Sequence, residues 1–264
     1  MKKLLSIGLL MIVITVTANA QDAGKLSIVN GGKVWASLYQ QRAAEYKALC
    51  FQAYNIARLR LDDALKHKGK KPLAVITDVD ETVLDNSPYD AARAVKNKDF
   101  DLAGWKAWTA KGIADTVPGA PSFFKYAASK GVTVFYVTNR DEDERDGTTR
   151  NLKLYDLPNA DKAHIILKQT TSSKEARRQE ILKKYNVVLY CGDNLPDFDS
   201  AYDNKPLQDS RAAATERLKK YFGNKYIVIP NPTYGDFENA FFGNQKLNSA
   251  QKDSVLRAII KVTE

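Results

Sequence analysis

Histidine and cysteine are scarce in this 264-residue chain, with only two of each. Two histidines, His67 and His164, are too few to build a multi-histidine dimetal centre, and neither stands in a setting that suggests a histidine nucleophile. His67 lies in the basic turn Lys66-His67-Lys68-Gly69-Lys70-Lys71, and His164 opens a short apolar run, so both are read as structural. Cys191 sits inside the apolar stretch Val187-Val188-Leu189-Tyr190-Cys191 and Cys50 in a helical pattern. Buried small hydrophobes are the expected roles for both, without a disulfide, even in an oxidising compartment. Low-complexity tracts and internal repeats are also missing. Beyond the first twenty residues no run is apolar enough to cross a bilayer, which leaves no stable membrane anchor.

Those first residues carry Lys2 and Lys3, an apolar run from Leu4 to Thr17, and Ala18-Asn19-Ala20, the three parts of a secretory leader cut near Ala20. The mature protein is therefore expected outside the cytoplasm, in the periplasm or the medium. Losing Lys2 and Lys3 lowers the net charge of +9 by two, and the remaining basic residues are interspersed with acidic ones. That pattern does not suit a nucleic-acid polymer, whereas a mild positive field favours small anionic ligands.

From Trp35 to Lys66 apolar residues recur at helical spacing through Leu38, Ala43, Tyr46, Leu49, Ala53, Ile56, Leu59 and Leu65, which predicts one long helix or two. Short continuous apolar runs follow at Leu73 to Ile76, Val132 to Val137, Ile165 to Leu167, Val187 to Cys191 and Tyr226 to Ile229. Helical patterns separate them over Pro121 to Ser129, Glu142 to Tyr155, Lys174 to Tyr185 and Arg211 to Tyr221. Strand and helix in alternation predict an α/β fold, a doubly wound and mainly parallel sheet. The expected organisation is a leader over 1–20 and a single domain over 21–264. Within that domain we expect a helical segment over about 33–68, a small helical cap from about 86–120, and a core from about 72–85 and 121–245.

In such sheets ligands bind beyond the carboxyl ends of the strands. The residues found there are Asp78-Val79-Asp80-Glu81-Thr82, Thr138-Asn139-Arg140, Ser172-Ser173-Lys174-Glu175 and Gly192-Asp193-Asn194-Leu195-Pro196-Asp197. One acidic loop alone would be weak evidence, but an acidic pair after two strands, a hydroxyl after a third and a lysine at a helix start form a site. Two carboxylates about 4 Å apart repel by about 4 kcal/mol at an effective dielectric near 20, so a cation is required. All-oxygen donors without histidine or cysteine point to one Mg²⁺ ion.

The same strings resemble the haloacid dehalogenase superfamily, and in particular its class C bacterial acid phosphatases. Asp-Glu-Thr-Val-Leu-Asp-Asn-Ser-Pro-Tyr (80–89), Val-Thr-Asn-Arg (137–140), Gly-Asp-Asn-Leu-Pro-Asp-Phe (192–198) and Pro-Asn-Pro-Thr-Tyr-Gly-Asp (230–236) carry the likeness, which runs over nearly the whole mature chain. The resemblance implies phosphomonoester hydrolysis through an aspartyl-phosphate, with Asp78 as nucleophile and Asp80 as acid/base. It makes Thr138 a holder of a phosphoryl oxygen and Asn139 a support of that loop, with Asn139 and Arg140 both counted among the substrate-binding residues. Asp78, Asp80 through its carbonyl, and Asp193 would hold the metal, with Asp197 either a ligand or an orienting neighbour. Carboxylate crowding would place activity in the mildly acidic range. Lys174 is preferred over Lys168 for neutralising charge, because Ser172 and Glu175 predict a capping box that puts Lys174 in the first helical turn. Aromatic clamping of a nucleotide falls to Trp105 and Tyr234.

Two departures stand out. No cysteine follows the predicted cleavage site, where Gln21 comes after Ala20, and Phe237 stands where the family often has tryptophan. A non-catalytic phosphate or nucleotide binder and a phosphotransferase or phosphomutase of the same superfamily are the rival readings. The oligomeric state, a homodimer included, is left open.

Overall fold

The computed structural model describes residues 26–67, 69–204 and 207–263. The expected leader lies outside them. Helix α1 (Ile28–Arg42) starts where the Ser27 hydroxyl accepts the Asn30 N–H at 3.2 Å, and the extended backbone of Ala43 separates it from α2 (Ala44–Leu65). The predicted helical stretch is thus two helices. Its large aliphatic residues do not mark the buried face, because Leu38, Leu49 and Leu59 are exposed and Trp35 more so. On α2 the buried face is Tyr46, Cys50, Ala53, Tyr54, Ala57 and Leu61. Its small residues let the helix approach the helix Ala120–Ser129 and the central sheet closely.

The central sheet holds β1 (Leu73–Thr77), β4 (Thr133–Val137), β5 (Ile165–Ile166), β6 (Asn186–Gly192) and β7 (Tyr226–Val228), all parallel, in the order β5-β4-β1-β6-β7. Every residue of β1 is buried, as a strand covered on both faces requires. Leu73 and Val75 pack into one apolar cluster with α2 and α5 (Ala120–Ser129), while Ala74 and Ile76 pack into another that includes Ile181 of α7 (Glu175–Lys184). Helices α6 (Arg145–Leu154) and α8 (Gln208–Leu218) complete the crossovers, and α9 (Asp236–Phe241) and α10 (Ser249–Ile259) follow β7.

The chain runs outward from β1 through β4 to β5, then returns to β6 on the other flank of β1. The strand order therefore reverses around β1, and the carboxyl ends of β1, β4 and β6 face one crevice. A short antiparallel pair, β2 (Leu84–Asp85) with β3 (Asp115–Thr116), brackets an excursion that carries α3 (Ser87–Ala94) and α4 (Leu102–Thr109).

Both cysteines are buried free thiols. Of the described helices, none is long and apolar enough to cross a membrane.

Candidate active site

Asp78 follows β1, and its N–H donates to the Cys191 carbonyl of β6 at 2.9 Å, which ties the two strand ends together. Asp78, Asp193 and Asp197 each bring one carboxylate oxygen within 4.8 Å of the others. Among the described residues a single cation pairs with them: Lys174 Nζ lies 2.6 Å from Asp78 Oδ1 and 2.6 Å from Asp197 Oδ1. Among the described residues Asp193 is held by neutral donors alone, Thr82 Oγ1 at 3.0 Å and Asn231 Nδ2 at 2.8 Å. Asp197 Oδ2 accepts the Asn194 N–H at 3.0 Å. Gly192 makes this loop possible, because a Cβ there would fall 2.5 Å from that of Asp197.

Burial pushes the Asp78 carboxyl up to about 7, against the pull of Lys174 and helped by Asp197 and Asp80. Asp193 is raised well above the carboxylate range by burial, then by Asp197 and Asp78. Burial works against the charge of Lys174, yet Asp197 and Asp78 outweigh it and leave the ammonium raised. Negative charge here exceeds what one lysine neutralises. The donors are hard oxygens that fit a small divalent cation such as Mg²⁺.

Asp80 lies apart from this cluster. Its Oδ1 accepts Arg140 Nη2 at 2.7 Å, Arg140 Nε at 3.1 Å and Asn86 Nδ2 at 2.9 Å, while Thr138 Oγ1 stands 3.4 Å from Oδ2. Arg140 is only 2% exposed and spends its other amino group on Thr148 at 3.0 Å. Its guanidinium thus serves Asp80, where sequence had suggested a contact to substrate. Thr138 is fully buried, and Asn139 Oδ1 accepts Arg177 Nη2 at 2.7 Å, so Arg177 is what holds this loop.

The predicted capping box does not form. Helix α7 begins at Glu175, with Lys174 just before it, and Ser173 rather than Ser172 accepts the Glu175 N–H at 3.3 Å. The Glu175 carboxylate is drawn forward to Arg178 at 2.6 Å, so it cannot reach back. Lys174 nevertheless reaches the cluster, whereas its rival Lys168 pairs with Asp141 at 2.8 Å.

Trp105 and Trp108 of α4 part company. Trp108 packs against the core and donates from Nε1 to Asn86 Oδ1 at 2.8 Å. Trp105 lines a cavity of about 460 Å³ together with Tyr234.

Sequence reasoning missed a buried network beneath the acid. Glu81 is fully buried at a positive φ of 54°, accepts the Asn86 N–H at 2.7 Å and also takes the Tyr234 hydroxyl. Asn86 in turn holds Asp80. Asn86 and Asn231 stand inside the strings that carried the family resemblance, which was the only signal for them, whereas Glu81 and Thr82 also belong to the acidic loop after the first strand.

A doubly wound α/β sheet with an aspartate cluster at its strand-order reversal is a frame on which phosphate esters can be hydrolysed. The model of the haloacid dehalogenase superfamily, subfamily IIIB (acid phosphatase), matches residues 10–237, and the chain belongs to that family of phosphomonoester hydrolases. The class C acid phosphatase of Bacillus anthracis, solved with tungstate bound, superimposes with a TM-score of 0.84 at 38% identity, covering 90% of this chain and 99% of that one. A class B acid phosphatase of Marinomonas sp. is 25% identical over 199 residues, 70% of this chain and 75% of its own. The stem 31 kDa glycoprotein of Glycine max is 27% identical over 165 residues, 60% of this chain, which spans only 58% of that relative's length.

Proposed function

We propose that the protein is an exported, Mg²⁺-dependent acid phosphatase that hydrolyses phosphomonoesters, nucleoside 5′-monophosphates in particular, through an aspartyl-phosphate on Asp78. The observation that carries this reading is the contrast between two carboxylates two residues apart. Asp78 lies with Lys174 in the acidic cluster, as a nucleophile aimed at an anionic phosphoryl group needs. Asp80 lies outside that group and has its carboxylate oriented by Arg140 and Asn86, which leaves it available for the acid/base role.

An Asp78 carboxylate oxygen attacks phosphorus in line while Asp80 delivers its proton to the departing alkoxide oxygen. Asp80 then takes a proton from water, which attacks the acyl-phosphate and frees phosphate and Asp78. Lys174 balances charge on the phosphoryl oxygens. Asp78, Asp193 and Asp197, with the Asp80 carbonyl, would hold Mg²⁺, which supplies the remaining positive charge to the phosphoryl group. Thr138 serves a phosphoryl oxygen, and Trp105 with Tyr234 sandwiches a planar base, worth about 1 to 3 kcal/mol per base. The excursion with α3 and α4 acts as the cap that places Trp105 there, and export follows from the leader-like N-terminus.

A panel of phosphomonoesters, with and without excess chelator, tests this reading. Hydrolysis should vanish with chelator and return with Mg²⁺; hydrolysis that persists would overturn the metal site, and binding without turnover would favour the non-catalytic binder. Trp105→Ala should raise KM for nucleoside monophosphates roughly five- to a hundred-and-fifty-fold. An equal rise for glycerol phosphate would refute the clamp.

A further inference from the structure

Lysines are scattered along this sequence, but the fold gathers a group of them in one place. In a parallel sheet each crossover helix ends beside the amino end of the strand that follows it. Lys70 lies just before β1, Lys130 between α5 and β4, and Lys184 at the end of α7 before β6. Lys220 stands in the turn Lys219–Tyr221 after α8, and Lys225 directly precedes β7. They share the amino edge of the sheet, opposite the carboxyl edge that holds Asp78. Hydrogen bonds tie the pieces of this edge together. Lys71 Nζ donates to the Leu182 carbonyl at 2.9 Å, the Asn186 N–H to the Pro72 carbonyl at 2.8 Å, and Arg60 Nε of α2 to the Gly223 carbonyl at 2.9 Å.

Helix C-termini favour cations, which accounts for some of these lysines. It does not account for their excess over acids. The nearest carboxylates are already matched: Asp63 with Lys66 at 2.8 Å, Glu180 with Lys183 at 2.6 Å, and Glu216 with Lys219. Toward β5, Asp156 meets Lys125 at 3.7 Å and Asp161 meets His164 at 2.8 Å. Lys70, Lys130, Lys184, Lys220 and Lys225 pair with no carboxylate among the described residues, and all but half-buried Lys225 are exposed. Aromatic rings stand among them. Lys130 Nζ is 5.3 Å from the centre of the Tyr126 ring, Lys220 Nζ 5.1 Å from Tyr221, and Lys225 Nζ 5.4 Å from Tyr190. Tyr185, Tyr221 and Phe222 are half-buried on the same edge.

We propose that this amino edge is a docking surface for an anionic lipid bilayer, held by reversible electrostatic attraction and not by an inserted segment. A plane of acidic headgroups asks for no particular side-chain geometry, so lysines drawn from several elements can serve it together. Amphipathic rings beside lysines suit the headgroup layer. Rings that are half-buried and capped by ammonium groups are poor platforms for stacked bases, which favours lipid over nucleic acid. Docking in this sense turns the carboxyl edge, with its aspartate cluster, toward solution.

The test mixes the chain from Gln21 onward, free of the leader-like segment, with phosphatidylcholine vesicles that contain or lack phosphatidylglycerol. Wild type should sediment with the anionic vesicles only, and high salt should release it. Replacing Lys70, Lys184 and Lys220 together by glutamine should weaken that binding about a hundredfold, at about fivefold for each lysine near the surface. The same change at exposed Lys47, Lys96 and Lys111 removes equal charge far from this edge and should stay within about threefold. Thermal melts should show both variants folded, since every substituted residue is exposed. Vesicle-bound wild type should keep its turnover of a soluble phosphomonoester. Failure to bind anionic vesicles, equal binding to neutral ones, or equal losses in the two triple variants would overturn the proposal. Loss of turnover on the vesicles would also overturn it, by placing the crevice against the lipid. Binding of a DNA duplex or polyphosphate without binding of vesicles would assign the edge to a dissolved polyanion and refute the lipid surface.

Discussion

Two groups of three carboxylates lie near the carboxyl edge of this sheet, and they behave in opposite ways. Asp78, Asp193 and Asp197 share one lysine that is 4% exposed, whereas in the second group two lysines serve Asp141 and Asp143, and buried Glu144 accepts the Thr109 hydroxyl and the Asp141 N–H. Lys106 lies 3.1 Å from Asp141 and 2.7 Å from Asp143, and Lys168 lies 2.8 Å from Asp141. Pairing there holds Asp141 below the usual carboxylate range, first through Lys168 and then through Lys106. In the other group, burial drives Asp78 and Asp193 upward. Acidic clustering alone therefore does not make a metal site. Burial combined with a shortage of cations does.

The sharpest break between the groups is chemical. Asp78→Asn should lower turnover by at least about 10³-fold while leaving the fold intact, because a nucleophile is lost and not a core contact. Asp143→Asn should stay within about twofold of wild type, since surface substitutions away from special features change little. Steady-state rates on one phosphomonoester decide it, and near-wild-type turnover by Asp78→Asn would sink the mechanism.

The lysines give the next largest contrast. Lys174→Ala leaves Asp78 and Asp197 buried without their cation and should cost about 3 to 5 kcal/mol in metal-free protein. Lys168, with a third of its side chain exposed, should cost about 0 to 1 kcal/mol on the same substitution. Urea denaturation of the two variants checks the order, and equal losses would mean that the buried pair is not what holds the cluster.

Within the buried group, Asp193→Asn should weaken Mg²⁺ binding more than Asp197→Asn, roughly ten- to a hundredfold against less than that. Asp197 already has Lys174 at 2.6 Å, whereas neutral donors alone hold Asp193, so the charge of Asp193 is the one still awaiting a cation. Calorimetric titration with Mg²⁺ would show the order, and its reversal would exchange the two roles.

How much of this was legible before the structure follows from the same physics. The ends of β1, β4 and β6 could be read because strands buried on both faces leave unbroken apolar runs, and the residue after each run must lie at the crevice. The buried face of α2 could not, because Ala53 and Ala57 carry the close packing while Leu49 and Leu59 face outward, and hydrophobicity alone ranks them the wrong way. The capping box failed for a local reason, the attraction of Glu175 to Arg178. Arg140 could be placed beside the site but not aimed, since whether a guanidinium serves substrate or Asp80 depends on how the β1 and β4 loops face each other. Glu81 and Asn86 gave no chemical signal of their own, being partners of partners in a hydrogen-bond chain.

The most direct test of cation shortage reads stability against pH. Asp78 and Asp90 rise from 3.8 to about 7 on folding, chiefly through burial, so between those values the native state holds protons that the unfolded state has lost. Stability changes with pH in proportion to protons bound unfolded minus protons bound native, and here that difference is negative. Metal-free protein should therefore lose stability from these groups as pH rises from about 4 through about 7, and the loss should level off above that. Glu81 and Asp193, raised mainly by burial, act in the same direction. Half-buried Asp141 works in the opposite sense, because its pairing with Lys168 and Lys106 adds stability that is lost as pH falls through its lowered value. Its screened surface setting keeps that contribution small. Melting temperatures of chelator-treated wild type at pH 5 and pH 7.5, compared with Asp78→Asn, isolate the buried group at roughly 2 to 4 °C per kcal/mol for a chain of this size. The fall toward pH 7.5 should be smaller in Asp78→Asn, and Mg²⁺ should raise the wild-type melting temperature more at pH 7.5 than at pH 5, because the metal competes with protons for the same oxygens. An Mg²⁺ effect equal at both pH values would show that the buried carboxylates are not short of positive charge, and the contrast between the two acidic groups would collapse.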